Sequence, residues 1–172
     1  MIKSPLNYIG GKSKLLNQLL PIFPKKIERF IDLFAGGCNV GINTKAQEYI
    51  FNDNLTPLIN MYESFLSNDI EKTIKHIKNR INELKLSKQN LQGYNELRLQ
   101  YNKTKEPLDL FVLVAFSFNH QIRYNNKHHF NVPFGKGRSS FNVMMEKNLI
   151  QFIKQIKNIN ATFYSLDLHS FN

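Results

Sequence analysis

The run Phe34-Ala-Gly-Gly-Cys-Asn-Val-Gly41 is the first place where residue types and spacing could do chemistry. Glycines there let the backbone approach a ligand closely, with a helix N-terminus beside it. Asp53 follows 17 residues after Gly36, closing the next apolar run. A carboxylate in that position can accept both ribose hydroxyls of a nucleoside cofactor. A dinucleotide fingerprint needs glycine at three set positions and Cys38 stands at the second, which disfavours NAD. Taken alone, the same residues also read as a glycine-rich turn with a surface aspartate. Gly10-Gly-Lys-Ser13 invites a phosphate-loop reading, but the required first glycine would fall at Leu6 and no strand precedes it. A short turn that lays its backbone against a ligand is what remains. From Arg123 to Phe141, basic, amide and aromatic side chains interleave. Arg and Asn read base edges, Lys serves phosphates, and aromatics and Pro stack or wedge, so nucleic-acid contact is the better reading than a polar surface loop. His128 and His129 are adjacent and Cys38 has no partner at ligand spacing, so neither a metal site nor a Cys-His nucleophile is expected.

The overall charge agrees. Twenty-three Lys and Arg against 13 Asp and Glu give +10, with a pI near 9.7. That balance suits a polyanionic partner, although a generally Lys- and Asn-rich proteome would give the same sign. With 172 residues, 42% hydrophobic and 21% charged, the chain makes one domain, or a small domain with an insertion, and is not wholly disordered. One cysteine permits no internal disulfide and points to a reducing cytoplasm. No apolar run approaches the ~18–20 residues of a membrane span and no signal peptide opens the chain, so no membrane partner is expected.

Three stretches must position these groups. Residues 1–58 read as α/β. Leu15, Leu16, Leu19 and Leu20 form a periodic start stopped by Pro21 and Pro24; Arg29 to Leu33 reads as a buried strand; Val40 to Ala46 reads as a short helix; and Tyr49 to Phe51 reads as a second strand. Strand, glycine loop, helix and strand in sequence make a parallel unit. Residues 59–121 read as helices. Ile70, Ile74, Ile77, Ile81 and Leu84 form one apolar stripe with Lys72, Lys75, Lys78 and Lys85 off it, and Leu108 to Phe118 reads as a buried helix. Residues 119–142 read as a loop or hairpin, followed by a helix through Leu149, Phe152, Ile153 and Ile156 and a short strand at Thr162 to Ser165.

Read in order, Leu6-Asn-Tyr-Ile-Gly-Gly-Lys12, Phe30-Ile-Asp-Leu-Phe-Ala-Gly-Gly37, Phe51-Asn-Asp53, Arg123-Tyr-Asn125, Phe130-Asn-Val-Pro-Phe-Gly135 and Phe163-Tyr164 with Asp167 resemble one family, the Dam/DpnM-type DNA adenine N6-methyltransferases. The resemblance implies an α/β fold: an incomplete Rossmann-like sheet for S-adenosylmethionine, residues 1–58 plus 162–172, with an inserted helical target-recognition domain, residues 59–161, carrying a hairpin near 122–141. It implies that Tyr8, Gly10 and Lys12 line the cofactor site, that Asp32, Phe34, Gly36 and Gly37 lie under the methionine moiety, that Asp53 holds the ribose, and that Asp167 or its neighbours sit by the adenine. Arg123, Tyr124, Asn125, Asn131, Pro133, Lys136 and Arg138 would meet duplex DNA, with a GATC-like target by analogy. Cys38 departs from the second glycine that many relatives have.

A larger departure is catalytic. The family's Asp-Pro-Pro-Tyr segment accepts the adenine amino protons and stacks the base flipped from the duplex. The six prolines here, at 5, 21, 24, 57, 107 and 133, include no adjacent pair. The sequence therefore leads one to expect an N-terminal portion, truncated, split from a second polypeptide or decayed, with an open sheet edge and an uncovered apolar face.

Overall fold

Parallel strands need crossovers long enough to return the chain to the same end of the sheet, and the sequence provides two. The computed structural model describes residues 1–8, 10–167 and 169. Strands β1 (Arg29–Asp32), β2 (Glu48–Asn52) and β3 (Thr162–Tyr164) form one parallel sheet in the order β1-β2-β3. A short crossover joins the first pair. The helical stretch, α2 (Thr56–Ser67), α3 (Ile70–Glu83), α4 (Leu91–Thr104), α5 (Pro107–Phe116) and α6 (Val143–Asn158), lies between the second and third strands. The leucine-rich start becomes a single helical turn, α1 (Leu16–Leu19), between two 3-10 turns.

Strand pairing sorts the side chains by face. Phe30, Tyr49, Phe51 and Phe163 share the face that meets the helices, in the registers Phe30 to Tyr49 and Phe51 to Phe163. The other face carries Ile31, Ile50 and Tyr164, and Ile31 and Tyr164 are 44% and 42% exposed. The expectation of a buried strand at Arg29–Leu33 is thus corrected. β1 is an edge strand with one face bare, because among the described residues nothing pairs beyond it and the helices pack on the opposite face. All-parallel sheets ordinarily have both faces covered.

A second correction concerns residues 40–46, which form only a 3-10 turn at Gly41–Asn43. The side chains of Asn43 and Thr44 donate to the carbonyls of Asn39 and Val40, four residues back, at 2.9 Å each. Their backbone N–H groups bond three residues back instead, to Val40 and Gly41. Side chains that compete for those carbonyls hold the chain out of an α-helix.

Helix α5 is buried from Leu108 to Phe116 and packs against α2, α3 and α4. Its one charge, Asp109, accepts from Arg80 Nε at 3.0 Å and shares a 2.9 Å hydrogen bond with His76, so the buried carboxylate is paired. The predicted stripe of α3 faces this core, with Ile77 enclosed and the lysines at 72, 75, 78 and 85 exposed. One apolar cluster runs from Leu6 through the helices to Phe163. No helix among the described residues is long and apolar enough to cross a membrane.

Candidate functional site

The loop after β1 is held from below by groups on three other elements. Ala35 N–H donates to the Asn52 carbonyl at 2.8 Å, and Gly36 N–H donates to Asp53 Oδ2 at 2.9 Å. Asp53 Oδ1 accepts from Leu55 N–H at 3.0 Å, so one carboxylate ties the loops that follow β1 and β2. Tyr62 of α2 donates its hydroxyl to the Gly36 carbonyl at 2.7 Å. Gly36 sits at φ +46, and a Cβ there would stand 2.9 Å from the Tyr8 ring, so glycine is required on both counts. Cys38 takes a left-handed φ of +57. Its side chain is fully buried, and burial pushes the thiol well above its ordinary pKa, so it is inert as a nucleophile. That side chain turns into the core and is not part of the cleft lining, which answers the departure from glycine noted at this position.

Above the loop lies a cavity of about 560 Å³. Tyr8, Gly10, Lys12, Asp32, Phe34, Gly36, Gly37 and Asp53 all line it, together with Gly11, Ala35, Asn39, Val40 and Asn54. Eight of the nine cofactor candidates therefore converge on one space. Phe34 stands at its mouth, 73% exposed. The ninth, Asp167, is exposed outside the lining and accepts from His169 N–H at 3.0 Å; its neighbours Leu168 and residues 170–172 lie outside the described residues. Burial, and then the nearby Asp53 charge, raise the pKa of Asp32 against the lowering effect of the Phe34 backbone. Burial, followed by Asp53 and Cys38, pushes the Tyr8 phenol up to about 12. The cleft is a glycine-floored space with two carboxylates and one lysine, whose Nζ donates to the Gly10 carbonyl at 2.6 Å.

The basic–aromatic segment is a hairpin, bridged antiparallel at Tyr124–Phe130 and Ser117–Phe134. Asn125 closes its tip: the side-chain oxygen accepts from Lys127 and His129 N–H at 2.9 and 3.0 Å. Alternation sorts the returning limb. Phe130 and Val132 are buried, while Pro133 is exposed and Asn131 half-buried between them. Helix α4 grips the buried side. Asn102 accepts from Phe130 N–H at 2.7 Å and donates to its carbonyl at 3.0 Å, as a neighbouring strand would. Tyr94 donates its hydroxyl to the Val132 carbonyl at 2.8 Å. Tyr124 also turns inward, its hydroxyl paired with that of Tyr101 and its ring edge-on to Phe130. On the outer side Arg123 donates to the side-chain oxygen and carbonyl of Asn131 at 2.9 and 3.0 Å. Lys136 and Arg138 are exposed beyond the hairpin. Arg138 lines a 350 Å³ hollow with Asn7 and His120, and Asn7 directly precedes Tyr8 of the cleft.

Sequence reasoning missed Asn102, Tyr94, Tyr62, Asn52 and Asn39. Asn52 ties the ends of β1 and β3 through Leu33 and Leu166. Of the five, Asn39 carried a signal as a polar residue inside an otherwise small and apolar loop, and Asn52 lay inside the Phe51-Asn-Asp53 segment without a role being read for it.

Residues 8–171 match the family model for the D12 class N6 adenine-specific DNA methyltransferases. The chain is 47% identical over 171 residues to the type II methyltransferase M.FokI of Planomicrobium okeanokoites, covering 99% of this chain and 26% of that protein. It is 50% identical over 162 residues to the modification methylase StsI of Streptococcus sanguinis, covering 94% and 25%. It is 29% identical over 164 residues to the DNA adenine methylase of Escherichia coli K12, covering 92% and 55%. The chain thus spans about a quarter of the length of the first two and about half of the third.

Proposed function

The chain belongs to the D12 class of N6 adenine-specific DNA methyltransferases, and on that premise we propose that it forms the cofactor cleft and duplex-reading surface of a site-specific DNA adenine N6-methyltransferase of the restriction–modification kind. The observation that carries this reading is the convergence of eight candidate residues, from Tyr8 to Asp53, on one cavity.

The residues present fit S-adenosylmethionine on three counts. The cavity, about 560 Å³, lies within the ~300–1,000 Å³ of small-molecule sites. Asp32 and Asp53 bring negative charge to a ligand with a sulfonium and an ammonium. Gly36 and Gly37, both in the lining, expose backbone to the cleft with no side chain of their own to fill it. Each Asp53 oxygen accepts one backbone N–H and keeps a lone pair for a ribose hydroxyl. Asp32 and the Phe34–Gly37 loop would carry the methionine portion, Tyr8, Gly10 and Lys12 the facing wall, and Asp167 the edge near the adenine. When bound, the cofactor supplies a methyl group activated by its sulfonium; the chain's part is to hold and orient.

On the DNA side, Arg123 would read a guanine edge, Asn125 and Asn131 adenine edges, and Pro133 would wedge, while Tyr124 braces the hairpin and Lys136 and Arg138 meet phosphates. Residues 59–161 would then be the target-recognition part and residues 1–58 with 162–172 the cofactor part, sharing one core. The Asp-Pro-Pro-Tyr segment that accepts the amino group of a flipped adenine is absent from these 172 residues. It would come from outside them, further along the same polypeptide or on a second one. A second reading is a DNA-binding unit that transfers nothing.

Transfer of a labelled methyl group to unmethylated duplex, both GATC-containing and randomised, tests this. The expected result is cofactor binding by the chain alone, with transfer once a polypeptide carrying Asp-Pro-Pro-Tyr is added. Transfer by the chain alone would assign the base-holding role to a group within it, such as Asn131. Duplex binding without transfer under either condition would leave the non-catalytic reading.

A further inference from the structure

Asn39 is only 8% exposed, yet half of its amide has no assignment. Its Oδ1 accepts from Ser4 N–H at 3.2 Å, which sets the amide so that the nitrogen faces the other way. Its backbone carbonyl accepts from Asn43 Nδ2 at 2.9 Å, and Asn43 in turn clamps both the N–H and the carbonyl of Ile2 at 2.8 Å. Two asparagines thus fasten the N-terminal segment to the glycine loop, and the Ser4 N–H orients the Asn39 side chain. Nδ2 has no hydrogen-bond partner among the described residues. No fully enclosed side-chain polar atom among them lacks a partner, so this nitrogen opens onto space. That space is the junction of the 560 Å³ cleft with a 610 Å³ groove reaching Lys3 and Lys14. The nitrogen would lie 3.0 and 3.5 Å from Cβ atoms built at Gly37 and Gly11, and because both are glycine nothing screens it.

We propose that Asn39 Nδ2 is the donor that receives the carboxylate of the cofactor's aminoacyl arm. The proposal rests on the cofactor reading above. A zwitterionic arm needs acceptors for its ammonium and a donor for its carboxylate. Asp32 meets the first need, and the two carboxylates, Asp32 and Asp53, repel the second. The side-chain donors lining the cleft are Tyr8, Lys12, Asn39 and Asn54; of these only Asn39 is buried, with its amide preset by Ser4 and its nitrogen without a partner among the described residues. A buried donor ordinarily finds an acceptor, and here a ligand oxygen would be that acceptor.

Calorimetry on the full 172-residue chain separates this role from a structural one. Asn39→Asp keeps the oxygen that accepts from Ser4 and replaces the donor with a second acceptor. S-adenosylmethionine should bind about 10- to 100-fold more weakly, the range for a lost hydrogen bond to a charged group. 5′-Methylthioadenosine, which keeps the nucleoside and sulfur but has no aminoacyl arm, should bind unchanged. Asn39→Ala should show the same ligand-confined loss without added charge, and it serves if the aspartate variant fails to fold. Equal losses for both ligands, or none for S-adenosylmethionine, would overturn the proposal. So would a loss confined to duplex DNA, which would make the acceptor a phosphate in the neighbouring groove. If the unaltered chain binds neither nucleoside, the cofactor reading itself falls, and no Asn39 variant is needed to see it.

Discussion

In the cleft, side chains clamp backbone and leave ligand-facing groups open; in the hairpin, they clamp backbone and close on one another. Asp53 holds two loops yet keeps lone pairs, and Asn39 holds Ser4 yet keeps its nitrogen. Arg123, by contrast, is already bonded to Asn131, and the Asn125 oxygen is committed to the hairpin tip. The first region is preorganised, so its ligand gains new bonds. On the proposed reading the second would exchange internal bonds for bonds to a base edge, with a net gain only where the base fits. A cleft built this way favours affinity, and a hairpin built this way favours discrimination.

Asp53→Ala should break the cleft most severely. It removes the acceptor for Gly36 and Leu55 N–H as well as the proposed ribose contact. Cofactor affinity should fall by ~100-fold or more, since hydrogen bonds to charged groups contribute about 1.5–3 kcal/mol each. Calorimetry reads this, and retention of more than a tenth of the affinity would remove Asp53 from the site. Duplex binding should be nearly unchanged.

Asn102→Ala should be the mirror image. It leaves Phe130 N–H and carbonyl without partners in a half-buried setting, at a cost of about 1–3 kcal/mol for each unsatisfied group. The hairpin should exchange amide protons faster and sequence preference should drop by ~10-fold or more, with cofactor affinity intact. A matching loss of cofactor affinity would mean that the two regions are not separable.

The order of elements was legible because it follows from period and punctuation: the apolar run of α5, the isoleucine stripe of α3, and glycines between two short strands. The cleft was legible for a different reason. Its glycine loop and Asp53 have types fixed by backbone approach, as at Gly36, or by charge, whereas Tyr8, Lys12 and Asp32 were named through the family resemblance. What escaped was side-chain competition and partnership across distance. The turn at 40–46 looked helical because sequence spacing does not show Asn43 and Thr44 taking the carbonyls a helix needs. Asn102 looked like any surface asparagine on a helix, since its partner is 28 residues away. β1 looked buried because an apolar run does not reveal whether both faces are covered.

Arg123→Ala and Lys136→Ala sharpen the comparison within the hairpin side itself. Loss of a base-edge contact should cost about 1–3 kcal/mol of discrimination at one base pair and leave the salt dependence alone. Loss of a phosphate contact should weaken all duplexes alike and lower the slope of log K against log salt by about 1. The same duplex panel, titrated at several salt concentrations, distinguishes them. An Arg123 variant that changed the salt slope and kept its preference would place Arg123 among the phosphate contacts.

The smallest effect is set by Asp32. Burial raises its folded pKa above the ~3.9 of an unfolded aspartate. Between those two values the folded chain holds a proton that the unfolded chain has lost, so this group's contribution to stability rises as pH falls through that window. A cation in the cleft reverses the preference, because it favours the ionised carboxylate. Cofactor affinity should therefore fall, by less than about tenfold, as pH drops through the raised pKa, while Asp32's contribution to the stability of the free chain moves the other way. Asp32→Asn should remove both trends, and subtracting its profile from that of the unaltered chain isolates this one group from the other carboxylates. If the two trends ran in the same direction, Asp32 would be facing something other than a positive charge in the bound state.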